Sequence, residues 1–135
     1  MSMLKGHCEC GRINFVVDGE IKELSHCHCS QCRRLHGAAY ASYASVARKQ
    51  FRYLNGGDEL KEFASSANLT RVFCNNCGSN IMVIASYAPK KYYLAMGVLD
   101  GDPVIPEPFH IFVKSKAPWH NITDDAMQYD RDITE

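Results

Sequence analysis

The sequence lacks any apolar run long enough to cross a membrane. Its longest apolar stretches, such as IMVIASYA, have the length of a β-strand, whereas a membrane-spanning helix needs roughly 20 apolar residues. The opening segment MSMLKGHCECG also lacks an apolar stretch of signal-peptide length. We therefore expect a cytoplasmic protein with no membrane association.

The sequence also lacks a net charge. Fifteen Lys and Arg residues balance fifteen Asp and Glu residues. Nucleic-acid-binding domains usually carry a basic excess, so this balance argues against a nucleic-acid partner. No defensible Ser/His/Asp pattern occurs, and the glycine-containing segment NGG is too short to cradle a phosphate. The cysteines are left as the main chemical signal.

Seven cysteines are present, and every one belongs to a short cluster. The clusters are Cys8-x-Cys10, Cys27-x-Cys29-x-x-Cys32 and Cys74-x-x-Cys77. A reducing cytosol and an odd number of cysteines argue against a disulfide framework. Thiolate-rich clusters most often bind zinc, so we expect zinc as the cofactor.

The two outer clusters are predicted to form one structural zinc site. Cys10 and Cys77 are each followed by a glycine, which permits the positive-φ turn that points backbone N–H groups at sulfur. A closed structural zinc site takes four ligands and contributes folding energy directly. The predicted ligands are Cys8, Cys10, Cys74 and Cys77.

The middle cluster then holds three sulfurs, those of Cys27, Cys29 and Cys32. Same-face residues of a flat strand are about 6.6 Å apart, whereas two sulfurs on one tetrahedral zinc are only about 3.8 Å apart. The segment is therefore predicted to be a bent loop, followed by a short helix with Ser30 as its N-cap and Gly37 as its end. Three protein ligands and one open position are typical of a catalytic zinc site.

A fourth protein ligand would close this site instead. His26 and His36 are the candidates, as ligands or as neighbours of the ligands. His28 lies between two ligands and is expected to point away from the metal. Several arginines near the cysteines could offset the thiolate charge, namely Arg12, Arg33, Arg34 and Arg71.

The expected chemistry of an open three-thiolate zinc is thiol chemistry. Three thiolates donate much charge to the ion, which then acidifies water poorly but still accepts another soft ligand such as a substrate thiol. Addition of a thiol to a small carbonyl, or the reverse carbon–sulfur cleavage, is therefore favoured over hydrolysis. Arg33 and Arg34 could bind a substrate carboxylate, although they could equally balance thiolates or face solvent.

The rest of the sequence predicts one β-rich domain over residues 1–125, followed by a polar tail over residues 126–135. Strands are predicted in RINFVVDG, AAYASYASV, TRVFC, NIMVIAS, YYLAMG and HIFVK. The segment FRYLNGGDELKEFAS predicts a hairpin with NGG at its bend. Tyr43 and Phe63 are expected to be core aromatic residues, Trp119 a packed strand aromatic and His110 a histidine with satisfied hydrogen bonds.

Five segments, in order, resemble the family of glutathione-dependent formaldehyde-activating enzymes, which includes centromere protein V. They are GHCECGRINFVV, SHCHCSQCRRLHGAAY, RVFCNNCGSNI, MGVLD and HIFVKSKAPWHNI. The resemblance implies a mainly β, β-tent fold of small antiparallel sheets and two zinc ions per chain, divided between the cysteines as above. It also implies a carbon–sulfur lyase that forms S-(hydroxymethyl)glutathione, although this chain is shorter than the named enzyme.

Three functions are compatible with these observations. The first is a zinc-dependent carbon–sulfur lyase acting on an adduct of a glutathione-like thiol and a formaldehyde-like aldehyde. The second is a non-catalytic, zinc-stabilised binding module of the same fold. The third is a thiol redox protein. A related zinc-containing redox enzyme would need a catalytic cysteine late in the chain, and no cysteine follows Cys77.

Overall fold

The computed structural model describes residues 3–132, which contain two β-sheets, one short α-helix and three 3₁₀ helices (Arg48–Gln50, Met96–Val98 and Val113–Ser115). The strands are β1 (Met3–His7), β2 (Asn14–Asp18), β3 (Glu23–Cys27), β4 (Ala41–Ala47), β5 (Phe51–Asn55), β6 (Leu60–Ser66), β7 (Leu69–Cys74), β8 (Asn80–Ala85), β9 (Lys91–Ala95), β10 (Phe109–Ile111) and β11 (Met127–Gln128). Helix α1 (Ser30–His36) lies between β3 and β4. The predicted mainly β fold with one helix after the middle cysteines is confirmed.

The strands divide into a small antiparallel sheet, β1-β2-β5, and a larger mixed sheet, β11-β10-β3-β4-β9-β8-β7-β6. In the larger sheet, β10 runs parallel to both β3 and β11, and the other pairs are antiparallel. One hydrophobic core joins the two sheets, with Phe15 and Val17 from β2 packed in the same cluster as Ala44 and Val46 from β4.

The alternation of side chains along β4 gives the larger sheet two different faces. Ala44 and Val46 belong to the core shared with the small sheet. Tyr43 and Ser45 point to the opposite face and line a cavity. Because successive side chains of a strand point to opposite faces, one set of strands builds both the core and the wall of the cavity.

Helix α1 begins one residue earlier than its predicted cap requires. Ser30 is the first helical residue, and the N-cap is Cys29, whose sulfur accepts a hydrogen bond from the backbone N–H of Cys32. The prediction of Ser30 as N-cap is wrong, because the extended residue that precedes the helix already offers a sulfur acceptor at 3.2 Å. Gly37 ends the helix in the left-handed conformation with φ of 59°, as predicted.

The predicted hairpin around NGG is wrong. Strand β5 pairs with β2 in the small sheet, whereas β6 pairs with β7 at the edge of the large sheet. NGG therefore links the two sheets. Gly56 has φ of 80°, and a Cβ at this position would lie 2.2 Å from the carbonyl oxygen of Arg12. The neighbouring Asn55 side chain donates a hydrogen bond to the same oxygen at 2.7 Å.

Two aromatic residues that were expected to be packed are exposed. Phe63 lies on the edge strand β6 and is 52% exposed, and Trp119 is 70% exposed. The alternation that predicted a packed Phe63 does not tell an edge strand from a central one.

The described part of the predicted tail is paired with the large sheet. Strand β11 lies beside β10, and the backbone N–H groups of Phe112 and Val113 donate to the carbonyl oxygens of Arg131 and Tyr129. Residues 1, 2 and 133–135 of the predicted domain and tail lie outside the described residues. None of the helices in residues 3–132 is long and apolar enough to span a membrane.

Candidate functional site

The first candidate site is the four-cysteine cluster formed by Cys8, Cys10, Cys74 and Cys77. Their sulfur atoms all lie within 4.8 Å of one another, so the cluster could hold a metal ion. The sulfur of Cys10 is 3.5 Å from that of Cys8 and 3.7 Å from that of Cys74. These separations are close to the roughly 3.8 Å edge of a tetrahedral zinc–sulfur site. The four cysteines therefore fit the structural zinc ion that their spacing predicted.

Backbone amides surround the sulfur atoms of this cluster. The Cys8 sulfur accepts a hydrogen bond from the N–H of Ile13 at 3.4 Å, and the Cys74 sulfur accepts from the N–H groups of Asn76 and Cys77 at 3.4 Å each. Gly11 and Gly78 follow the two cysteine turns with φ of 79° and 80°. Glycine at these positions lets the chain turn back so that amides face sulfur, as predicted.

The second candidate site is the three-cysteine cluster formed by Cys27, Cys29 and Cys32. Their sulfur atoms also lie within 4.8 Å of one another, and no His, Asp or Glu of residues 3–132 joins them at that distance. Cys27 ends strand β3, and Cys29 caps helix α1. The strand therefore ends before the second cysteine, in agreement with the predicted bend, and the cluster could hold a metal ion with three protein ligands.

The three-cysteine cluster opens into a cavity of about 630 Å³ on the outer face of the large sheet. All three cysteines line it, together with residues of β4, β7, β8, β9 and β10. The four-cysteine cluster contributes no lining residue. The structure thus places the three-cysteine cluster in the wall of a cavity and the four-cysteine cluster outside it.

A buried arginine lies directly beside the three-cysteine cluster. Arg71 is only 4% exposed, and its Nη1 donates to the Tyr43 hydroxyl at 2.7 Å and to the Cys32 sulfur at 3.5 Å. The same guanidinium donates to the Gln31 side-chain oxygen at 2.8 Å and to Ser65 Oγ at 3.0 Å. A buried cation needs such partners, and its charge offsets that of the thiolates.

Tyr43 completes this network. Its hydroxyl lies 3.3 Å from the Cys32 sulfur and 3.3 Å from His36 Nε2. Since the oxygen accepts a hydrogen bond from Arg71, its single proton is available for one of these two neighbours or for a group in the cavity. Burial and the charge of Cys32 raise the pKa of Tyr43, so the phenol stays protonated.

The thiols of the cluster do not titrate alike. Hydrogen bonds with Cys27 and Cys29, helped by Tyr43 and the positive charge of Arg71, lower the pKa of Cys32. The contacts with the other two sulfurs, together with burial, raise the pKa of Cys27. The surroundings therefore favour at least one thiolate in this cluster, and a thiolate is the form that binds a metal.

The histidines near the three-cysteine cluster lie away from its sulfur atoms. His26 Nδ1 lies 2.7 Å from Ser42 Oγ, and His36 contacts Tyr43 instead of a cysteine sulfur. His28 is fully buried, and its Nε2 lies 2.8 Å from Nδ1 of the buried His110. The open three-sulfur arrangement fits the described residues better than the alternative with a histidine ligand.

His28 and His110 belong to a chain of polar groups that the sequence did not predict. His110 Nε2 lies 3.1 Å from both carboxylate oxygens of Asp124, and burial with the neighbouring His110 lowers the pKa of His28 to about 4. His110 was expected to be a satisfied histidine, and it is. Its partners come from distant parts of the chain, and only the parallel pairing of β10 with β3 brings them together.

Arg33 and Arg34 follow Cys32 in helix α1, but neither lines the cavity. Arg34 is exposed, and Arg33 is half-buried with its Nε buried and without a hydrogen-bond partner in the described residues. Their role in binding a substrate carboxylate stays a prediction. Tyr43 was expected only as a core aromatic. Strand alternation places it on the face of β4 opposite to that of Ala44, and packing of helix α1 on that face brings Cys32 to its hydroxyl.

Comparisons with known proteins agree with this geometry. A family model described as glutathione-dependent formaldehyde-activating enzyme matches residues 3–115. A Halomonas elongata protein named as a candidate glutathione-dependent formaldehyde-activating enzyme is 26% identical in an alignment that covers 96% of this chain and 85% of that protein. An uncharacterized lyase of Schizosaccharomyces pombe is 24% identical over 101 residues, 75% of this chain and 72% of its own.

A solved structure shares this fold. The crystal structure of a Rhodobacter sphaeroides protein superposes with a TM-score of 0.62 at 25% sequence identity, covering 73% of this chain and 89% of that one. The family model spans both cysteine clusters and most of the described strands. The chain belongs to the family of glutathione-dependent formaldehyde-activating enzymes.

Proposed function

We propose that this protein is a zinc-dependent carbon–sulfur lyase that acts on the adduct of a thiol and a small aldehyde. The observation that carries the proposal is the position of the three-cysteine cluster in the wall of the cavity, while the four-cysteine cluster lies outside it. The family membership and the lyase-named relative support the same reaction class. Glutathione and formaldehyde are the pair in the family's name, and a small-molecule thiol is the proposed partner.

The two clusters are proposed to hold two zinc ions per chain. The four-cysteine cluster would hold a structural ion, and Cys27, Cys29 and Cys32 would hold the second. A zinc ion with three thiolate ligands and an open position supplies a Lewis acid that keeps a substrate sulfur deprotonated. The three cysteines are thus the proposed catalytic residues, since they would carry that ion in the cavity.

The residues around the cluster are suited to orient the reactants. In the forming direction, the thiol sulfur bonds to the aldehyde carbon, the carbonyl oxygen becomes a hydroxyl, and the proton lost by the thiol ends on that oxygen. Tyr43, held by Arg71, can donate a hydrogen bond to this oxygen because Tyr43 lines the cavity and its hydroxyl lies 3.3 Å from the Cys32 sulfur. Cleavage reverses each step and releases the thiol and the aldehyde.

The proposal is tested by zinc content and by exchange kinetics on the same preparation. We expect two zinc ions per chain, and faster exchange of ¹³C-formaldehyde with its thiol adduct in NMR exchange spectra. Cys29→Ser is expected to retain one zinc and lose the acceleration. Two zinc ions without acceleration for any thiol would contradict the lyase and favour a non-catalytic, zinc-stabilised binding module.

A further inference from the structure

The wall of the cavity away from the cysteines is largely aliphatic and aromatic. It is formed by side chains from four strands and the segment after β10, namely Leu69, Val83, Tyr93, Phe109, Ile111 and Phe112. Several of these pack against the buried residues of the three-cysteine cluster itself. A molecule bound at the sulfur atoms would therefore extend along an apolar surface.

The cavity offers little positive charge for a carboxylate. The guanidinium of Arg71 is already engaged with Tyr43, Cys32, Gln31 and Ser65. Among residues 3–132, the only lysine or arginine in the lining besides Arg71 is Lys91, whose Nζ lies 3.0 Å from Glu23 Oε1.

The acidic lining residues and the thiolates add negative charge. Glu23 and Asp132 both line the cavity, so they balance the two cations of the lining. Three thiolates carry more negative charge than one divalent metal ion can neutralise. Glutathione brings two carboxylates and one ammonium group in addition to its sulfur, so this cavity opposes its net negative charge.

Phe112 is the one residue other than glycine with a positive φ among residues 3–132, at 56°. Its backbone N–H donates to the carbonyl oxygen of Arg131 at 3.1 Å, and the next amide donates to that of Tyr129. Bulky residues avoid this conformation, and residues held in it concentrate at functional sites. Here the conformation accompanies a ring that packs beside the three-cysteine cluster and lines the cavity.

We infer that the site selects a thiol with an apolar body and no net negative charge in preference to glutathione. The inference rests on the proposed function, because it names the substrate class of the same open position. The apolar wall binds the body of the thiol, Phe112 covers it, and the lack of surplus positive charge disfavours a dicarboxylate.

The test is a binding titration that does not depend on turnover. Protein loaded with Co²⁺ in place of zinc is titrated with benzyl mercaptan, with glutathione and with glutathione diethyl ester, and binding is followed by sulfur-to-cobalt absorption. We expect benzyl mercaptan to bind at least tenfold more tightly than glutathione, and the diester to bind more tightly than the free acid. Equal or tighter binding of glutathione would overturn the inference and leave the lyase proposal intact.

A variant locates the preference at Phe112. Glycine adopts positive φ without strain, so Phe112→Gly removes the ring while the backbone remains compatible with the fold. We expect at least a fivefold weaker affinity for benzyl mercaptan and less than a twofold change for glutathione. Trp119→Ala, at an exposed aromatic outside the cavity lining, should change neither affinity.

Two further results would contradict the inference. An unchanged affinity of Phe112→Gly for benzyl mercaptan would show that the ring does not cover the thiol. If none of the three thiols binds to the cobalt-loaded protein, both the inference and the proposed function are overturned. A preference for glutathione, by contrast, would overturn the inference alone.

Discussion

His28 Nε2 and His110 Nδ1 lie 2.8 Å apart, with both side chains buried. His110 Nε2 faces the carboxylate of Asp124, which can only accept, so this nitrogen carries the proton and donates to Asp124. The other ring nitrogen of His110, Nδ1, then accepts a hydrogen bond from His28 Nε2. The pair links His28, which lies between Cys27 and Cys29, to strand β10. The lowered pKa of His28 agrees with a neutral imidazole at that position.

Removing one member of this pair should leave the other buried without a partner. We expect His110→Ala to lower the free energy of unfolding by about 2–4 kcal/mol, from the lost packing and the unsatisfied His28. Asp124→Asn should cost less than His110→Ala, since the Asp124 side chain is 56% exposed. Urea unfolding of the metal-loaded proteins measures both.

A double-mutant cycle separates the pair from general packing. His28→Ala, His110→Ala and the double variant should give a coupling energy of about 1 kcal/mol or more. Additive effects of the two substitutions would show that the 2.8 Å contact contributes nothing specific.

Loss of one cysteine should have different effects in the two clusters. Cys77→Ser opens the four-cysteine cluster, which joins the beginning of the chain to the loop after β7, and should prevent stable folding. Cys29→Ser should leave a folded protein with one zinc. Circular dichroism and zinc analysis of both variants check this division, and equal unfolding of the two would refute it.

The sequence predicts the two clusters because cysteine spacing is local information. It also predicts the internal strands β4 and β7, from the segments AAYASYASV and TRVFC. The hairpin at NGG fails for a physical reason: a turn signal fixes a change of direction but not which strands pair, and Gly56 passes close to the backbone of Arg12 between the two sheets. The contact of Tyr43 with Cys32 depends on tertiary packing and escapes prediction from the sequence.

Arg71 should matter for metal binding at the three-cysteine cluster. Its guanidinium contacts Cys32 and holds Tyr43, and removal of such a partner typically lowers metal affinity 10- to 100-fold. We expect this loss for Arg71→Met in competition with a zinc-chelating dye, with the four-cysteine cluster still loaded. Arg34→Met removes the same charge from the exposed side of helix α1 and should leave the affinity unchanged. Similar losses in both variants would point to long-range charge instead of contact.

Gly56 should be far less tolerant of a side chain than other glycines in the same conformation. Gly56 and Gly101 both have positive φ, at 80° and 72°, but a Cβ meets the Arg12 carbonyl only at Gly56 and has nothing within 4 Å at Gly101. Gly101→Ala should cost about 1–2 kcal/mol from φ alone, and Gly56→Ala clearly more.

Gly97→Ala, at ordinary φ with open space around it, serves as the reference for both. Thermal unfolding of the three metal-loaded variants gives the ranking. Because Arg12 follows the turn that carries Cys10, displacement of its carbonyl by the new methyl group should also loosen zinc in the four-cysteine cluster. Faster zinc release by Gly56→Ala than by Gly101→Ala would confirm that the link between the sheets supports the cluster, and equal release rates would contradict it.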